Sequence, residues 1–336
     1  MDEEYRKIKK VNQSSLKKIL TSPQAYIKAR DRIEPPITPE HFVFGSLVDD
    51  MLLSPKTIMD KYYVMREDNV SDTIKSIVRY VYDYVTSEGY LPFTDITLNT
   101  VILDACKAYD YQPRWKDDTK ISKIQVLGEA YFNILSVTKG MTIIQEDEYN
   151  KAVICVTAMK NDRYIKKYFV KSDTIESIDR FIIQFKIGDL ECKGELDKVH
   201  IDHSEKTVQP IDFKYTGKSV LGFNYDFWKY RYDFQGAFYT IGLLKNSKIR
   251  ALILDGYRLL PFQYIVVEKD MNNLPMIFQF TDEVLKIGQF GGTLKNGRKL
   301  EGVRQAIDKY IYHTKIDDWD YPMEYEHSGG IVELKM

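Results

Sequence analysis

Gly194-Glu-Leu-Asp-Lys198 and, beyond a polar break at His203-Ser-Glu-Lys206, Val208-Gln-Pro-Ile-Asp-Phe-Lys-Tyr215 decide how this 336-residue chain is read. Ser177 to Ile187 alternates loosely between apolar and polar residues, Gly188-Asp189 makes a turn, and Leu190 to Ile201 alternates again. With Val208 to Tyr215 as a third strand, the pattern predicts an antiparallel meander. Pro210 weakens the third strand locally, because proline cannot donate to a ladder. Residues two apart on a strand share a face, so Glu195 projects with Asp197 and Asp212 with Lys214. Pairing through the 203–206 turn lets Asp197, Asp212 and Lys214 converge at one sheet end. Two carboxylates plus a carbonyl or water suit a hard cation such as Mg²⁺. A lysine beside it can orient or deprotonate water and offset charge on a phosphate. Ordinary solvated strand faces carry the same acid-x-acid and acid-x-lysine patterns, so this pair alone is suggestive rather than specific.

Outward from this stretch the periodicity is helical on both sides. Upstream, Leu16, Ile19 and Leu20 form one side of a helix preceded by Asn12-Gln13-Ser14 and stopped near Pro23. A polar loop holds Pro35, Pro36 and Pro39, and Thr38-Pro39-Glu40 has helix-start chemistry. Phe44, Leu47, Val48, Met51 and Leu52 then make a buried helix face. Helices are expected near 72–87, 96–110, 120–138 and 146–169, with a short strand at Met141-Thr-Ile-Ile144. Downstream, Asn224 to about Lys245 reads as one long aromatic helix. Its stripe is Trp228, Tyr232, Gln235 and Tyr239; an aromatic stripe is usually core, but a buried amide in its middle needs partners. Ala251–Leu259 and Gln263–Lys269 look like a hairpin around Pro261. The tail is expected to hold helices near 280–288 and 300–313 around a Gly-rich basic loop from Gly291 to Lys299.

Composition narrows the function classes. Net charge is −1 with 44% hydrophobic and 29% charged residues, which excludes dominant disorder and a basic nucleic-acid-coating protein. The first 34 residues are nevertheless net +4, and residues 316–336 net −5. No apolar run approaches a membrane span, and the start has no signal-peptide core. Three widely spaced cysteines give neither a disulfide framework nor a metal site. These features predict a soluble protein of a reducing cytoplasm. His200 and His203 lack the further ligands that a zinc site needs. The Gly291–Lys299 loop fits no phosphate-loop pattern, and no nucleotide-driven motor motif is present.

Asp197, then Asp212-Phe-Lys214, then Tyr230-Arg-Tyr-Asp-Phe-Gln235-Gly-Ala-Phe-Tyr239 resemble the PD-(D/E)xK nuclease superfamily. More narrowly they resemble the RecE-like phage and prophage exonucleases, akin to the RecB nuclease domain and lambda exonuclease. Asn12-Gln-Ser-Ser-Leu-Lys17 with Ser22-Pro23 is similar to the family's N-terminal helix and its stop, and Phe44-Gly-Ser-Leu-Val-Asp49 resembles its F-G-x-x-x-H helix. Thr142 to Tyr149 with Met159 resembles the helix before the first core strand. The likeness spans most of residues 12–270, motif by motif, and the tail is only loosely similar.

The resemblance implies an α/β (α+β) fold with a restriction-endonuclease-like core, a central mixed sheet flanked by helices, and a large helical N-terminal part. Residues 1–336 would form a single nuclease domain: 1–170 mainly helical, 171–270 the catalytic sheet with the Gln-containing helix, and 271–336 a C-terminal helical extension. Asp197 and Asp212 would be metal ligands, Lys214 the catalytic lysine, and Gln235 and Tyr239 the motif beside the site. Glu195 and Glu176 would be further acids. Asp49 stands where the family usually has a metal-binding histidine; an aspartate can still hold a hard cation. The implied activity is Mg²⁺-dependent (or Mn²⁺-dependent) resection of double-stranded DNA for phage-type recombination or repair. Its partners would be DNA and a single-strand annealing protein, with a homo-oligomer compatible and no membrane. Two alternatives stay open: a catalytically weak nuclease-fold module that binds DNA or assembles complexes, and an endonuclease on the same scaffold.

Overall fold

The computed structural model describes residues 5, 7–31, 40–66, 70–88 and 91–334. The expected loop at Pro35 and Pro36 and the Thr38-Pro39 helix start lie outside them. The chain divides into two compact units, Met1–Ser54 with Lys151–Met336, and Pro55–Asn150. In chain order the helices are α1 (Gln13–Lys18), α2 (Pro23–Asp31), α3 (Glu40–Leu53), α4 (Ile58–Lys61), α5 (Asp72–Glu88), α6 (Asn99–Ala108), α7 (Asp117–Thr138) and α8 (Glu146–Asn161). They continue with α9 (Phe223–Lys229), α10 (Tyr232–Lys245), α11 (Ser247–Leu254), α12 (Asp282–Phe290), α13 (Val303–Ile316) and α14 (Met323–His327). The strands are β1 (Tyr62–Met65), β2 (Thr142–Gln145), β3 (Ile175–Ile187), β4 (Leu190–Asp202), β5 (Thr207–Thr216), β6 (Arg258–Leu259), β7 (Gln263–Glu268), β8 (Met276–Gln279), β9 (Gly292–Thr293) and β10 (Lys299–Leu300).

The Pro55–Asn150 unit packs α5, α6 and α7 around Ile77, Val78, Ile102, Ile124 and Phe132, all buried. Its two strands, β1 and β2, pair in parallel.

The other unit is a mixed α/β body around a central mixed sheet of order β3-β4-β5-β7-β8, with β6 pairing β5. The meander β3–β4–β5 is antiparallel, β7 runs parallel to β5, and β8 returns antiparallel. Pro210 is tolerated in β5 because it falls between the β6 pairing at Thr207–Val208 and the β7 pairing that begins at Ile211. Helices flank the sheet: α10 packs on β3 and β4, and α3 on β5. Close approach of α10 needs small residues. A Cβ at Gly242 would lie 2.4 Å from Ile183 Cδ1, and one at Gly194 would lie 2.8 Å from the Tyr239 ring. The core joins Leu196, Val199, Phe234, Phe238, Leu243 and Tyr264, each nearly or fully buried.

Three expectations are corrected. The long aromatic helix is two, α9 and α10, broken at Arg231, whose φ of 58° lies in the left-handed region. The Arg231 guanidinium bonds the Asp233 carboxylate at 3.0 Å and the Glu301 carbonyl, which holds that conformation. The hairpin around Pro261 is absent, since β6 and β7 each pair with β5 and Ala251–Leu254 belongs to α11. Asn246 nucleates that helix, its Oδ1 accepting from the Lys248 and Ile249 amides at 3.1 and 3.3 Å. Finally, the helix expected over 146–169 ends at Asn161, and Lys166–Phe169 is a separate 3₁₀ turn. Helix α1 stops short of Pro23 as expected, and Pro23 opens α2, consistent with its missing N–H and fixed φ.

Candidate active site

The β4–β5 ladder begins at Lys198–Ile211, so the two strands part where Asp197 and Asp212 stand. In place of the next backbone bond, Asp197 Oδ2 accepts the Phe213 amide at 2.7 Å. On the other side the β3–β4 ladder skips the rung at Arg180 and Asp197, and Arg180 has φ 52°. Disrupted pairing on both sides opens the sheet here and leaves side-chain oxygens facing one another.

Asp212 sits on β5 with Lys214 two residues on, and the Lys214 ammonium contacts Asp212 Oδ2. That oxygen has no donor of good hydrogen-bond geometry among the described residues. Asp212 Oδ1 accepts the Gln235 amide at 2.9 Å, and Tyr264 donates to Gln235 Oε1 at 3.4 Å. Gln235 therefore aims Asp212 from α10. The Lys214 ammonium lies 5.2 Å from the Tyr232 ring centre and 5.5 Å from that of Tyr264. Asp49, on α3, accepts the Tyr215 hydroxyl at 2.6 Å through Oδ1. Thus Asp49, Asp197 and Asp212 each have one oxygen fixed by a protein donor. Tyr239 is buried and packs its ring against Gly194.

Electrostatics joins the three carboxylates into one site. Burial, the Asp197 charge next, pushes Asp49 up to about 8 against the Tyr215 bond and the Lys214 and Arg180 charges. Burial and Asp212 push Asp197 to about 7. Burial also raises Asp212, opposed by Lys214 and reinforced by Asp49. For Lys214, burial pulls the ammonium down, but Asp212 and Asp197 outweigh it and hold it above its ordinary value. Asp49 and Asp197 keep some contact with solvent whereas Asp212 is 2% exposed, so the shifts at the first two are softened by screening. Three acids against one lysine leave the site short of positive charge.

Of the acids read from sequence, Asp49, Asp197 and Asp212 come together. Glu195 lies beside them but is committed, its Oε1 accepting from Arg180 at 3.3 Å. Glu176 is not gathered: it pairs opposite Ile201, three rungs beyond Lys198–Asp179, and its carboxylate meets Lys248 at 2.5 Å and His203 at 3.8 Å. Two residues were missed. Arg180 bonds Asp50 at 2.5 Å, Ser54 at 3.0 Å and Glu195, so Asp50 rather than Asp49 takes the salt bridge. Tyr215 aims Asp49. The signal for Arg180 was a cation inside an otherwise alternating strand, and that for Tyr215 was its place one residue past Lys214.

The donor set fits a hard divalent cation: all oxygen, with three carboxylates against one lysine. As the side chains stand, no three His, Cys, Asp or Glu among the described residues are grouped closely enough to hold a metal ion. Among the described residues no helix is long and apolar enough to cross a membrane. The three cysteines are buried and free.

No family model matches the chain, and no curated protein matches it. A solved structure described as a "putative exonuclease" from Eubacterium rectale is similar at a TM-score of 0.42 and 12% identity, covering 100% of this chain and 95% of that one. Nothing below rests on so slight a likeness.

Proposed function

We propose that the protein is a Mg²⁺-dependent deoxyribonuclease on a PD-(D/E)xK core, of the RecE-like exonuclease type. The observation that carries this reading is the convergence of Asp197, Asp212, Lys214 and Gln235 where β4 and β5 part. The meander β3–β4–β5, with β7 parallel to β5 across α9–α11, is compatible with that core. A surface patch of acids and lysines would be solvated and self-neutralising. These groups are enclosed, fixed by second partners and short of positive charge.

Asp197 and Asp212 would hold the cation, with Asp49 as the third carboxylate. When bound, the ion supplies Lewis-acid polarisation of a phosphodiester and a more acidic water. Lys214, held protonated by its two acids, orients the attacking water and offsets charge growing on the phosphate; in the metal-free protein it is no base at neutral pH. Gln235 positions Asp212, and Tyr215 positions Asp49. The attacking water would give up its proton to bulk solvent, and the departing alkoxide would take one from it.

Linear and covalently closed duplexes incubated with Mg²⁺ and with EDTA test this. Loss of the linear form alone, abolished by EDTA and by Lys214→Ala, supports an exonuclease. Cutting of both forms indicates an endonuclease, and cutting of neither overturns the enzymatic reading.

A further inference from the structure

The C-terminal end of α8 and the segment after it, Lys160 to Lys171, carry Lys160, Arg163, Lys166, Lys167 and Lys171 against a single acid, Asp162. All five cations are exposed, and among the described residues none is paired with a carboxylate. Asp162 caps the turn that follows, accepting the Tyr164 and Ile165 amides at 2.8 and 3.0 Å, so the segment keeps a local charge of +4. The patch is rigidly mounted. A 3₁₀ turn spans Lys166–Phe169, and Phe169 stacks on Phe213 at 5.9 Å and 15°. Phe213 alternates with Asp212 and Lys214, so the turn sits on the sheet face opposite those two catalytic candidates. Tyr168 meets the His200 ring edge-on at 5.3 Å, the Lys198 ammonium lies 5.4 Å from the Phe169 ring centre, and the Lys167 ammonium lies 4.9 Å from that of Tyr168, which seats the turn over one region of that face. At its rim Tyr164 is 60% exposed, with the Arg163 guanidinium 4.5 Å from its ring centre.

We infer that this face is a second nucleic-acid site, one that holds a single strand by its phosphates and stacks a base on the Tyr164–Arg163 pair. Unpaired lysines in a row supply sequence-independent phosphate contacts, and an exposed aromatic ring with a guanidinium is a stacking platform for an unpaired base. A duplex buries its bases and could use the lysines but not the ring. A strand freed by resection could use both. The site thus rests on the proposed nuclease reading for its biological sense, yet not for its detection.

The test is anisotropy of a labelled 20-residue oligothymidylate and of a blunt duplex in EDTA, across a salt series. Lys166→Ala/Lys167→Ala/Lys171→Ala should weaken oligothymidylate binding by at least tenfold. It should also reduce the slope of log K against log salt by about 2, at ~0.7 per lost single-strand contact. Tyr164→Ala should weaken the same oligomer roughly tenfold with the slope unchanged, while duplex affinity holds. All four residues are exposed, so thermal unfolding should match wild type. Unchanged oligothymidylate affinity in both variants overturns the inference. So does equal loss for duplex and single strand in Tyr164→Ala, or loss of binding to phosphatidylglycerol vesicles without loss for the oligomer. Wild-type protein that binds the strand with this pattern but never cuts DNA with Mg²⁺ ends the nuclease reading and leaves the strand site standing.

Discussion

Replacing Asp49 by Asn should stabilise the metal-free protein at high pH and weaken its response to Mg²⁺. Asn keeps an oxygen for the Tyr215 hydroxyl, which Asp49 now accepts at 2.6 Å, and it cannot ionise. The folded carboxyl titrates at about 8, the unfolded one at about 3.9. Below pH ~4 both states hold the proton and the substitution is near neutral. As pH rises toward 8 the unfolded chain releases the proton while the folded chain retains it, so wild-type stability falls through that window. The gap of about four units sets a ceiling of roughly 5 kcal/mol. Asp49 retains contact with solvent, and screening brings the expected gain to about 1–2 kcal/mol at pH 8.5. Urea unfolding in EDTA at pH 5 and 8.5 reads this directly: a small difference at pH 5 and a clear stabilisation by Asn at pH 8.5. With Mg²⁺ at a hundredfold excess over its Kd the wild type should gain about 2.7 kcal/mol. The variant should gain less, narrowing or reversing the order. Asn destabilising the protein equally at both pH values, with Mg²⁺ acting alike on both proteins, would refute the reasoning and reduce Asp49 to a partner of Tyr215.

Lys214→Ala should abolish Mg²⁺-dependent cleavage while duplex affinity, measured in EDTA, stays within about threefold, one phosphate contact being a minor share of binding. Gln235→Ala frees Asp212 Oδ1; kcat should fall ~10-fold or more with a cooperative unfolding transition retained, and unfolding without loss of specific activity in the folded fraction would instead mark Gln235 as a core residue. Gly194→Ala puts a methyl 2.8 Å from Tyr239; a cost of about 1–3 kcal/mol in denaturant unfolding is expected from such overpacking. Arg180→Ala leaves Asp50 and Glu195 facing each other without their cation; destabilisation of about 3 kcal/mol is expected, and guanidinium ion should restore part of it.

The meander was legible because its signals are local: alternation sets the strands, and Gly188-Asp189 and the 203–206 turn set their ends. Residues two apart on β4 and β5 then had to project together, which put Asp197, Asp212 and Lys214 within reach of one point. What failed depended on long-range partners. The aromatic run from Asn224 has no proline or glycine near Arg231 to announce a break. Arg231 adopts a left-handed backbone because Asp233 and the distant Glu301 carbonyl hold its guanidinium. Arg258–Leu259 reads as a hairpin strand by composition, but β5 captures it in parallel, a pairing across some fifty residues that no local pattern records.

Asp49 and Asp50 show where legibility ends within the site itself. Adjacent on a helix, they differ by about 100° in direction, and only the surroundings decide which is spent on structure. Asp50 meets Arg180, and that triad with Glu195 holds a cation between two acids. Its neighbour meets a tyrosine hydroxyl and the Asp197 charge, and therefore stays an uncompensated acid. Had Arg180 faced Asp49 instead, the site would be internally neutralised and would offer a divalent ion little. The same bridging cation that ties α3 to β3 thus leaves the negative excess on Asp49, Asp197 and Asp212. This division of charge is what would separate the proposed cation site from a buried salt-bridge network of the same composition. Two single variants make it measurable: Asp50→Asn should lower stability without changing Mg²⁺ dependence, and Asp49→Asn should do the reverse.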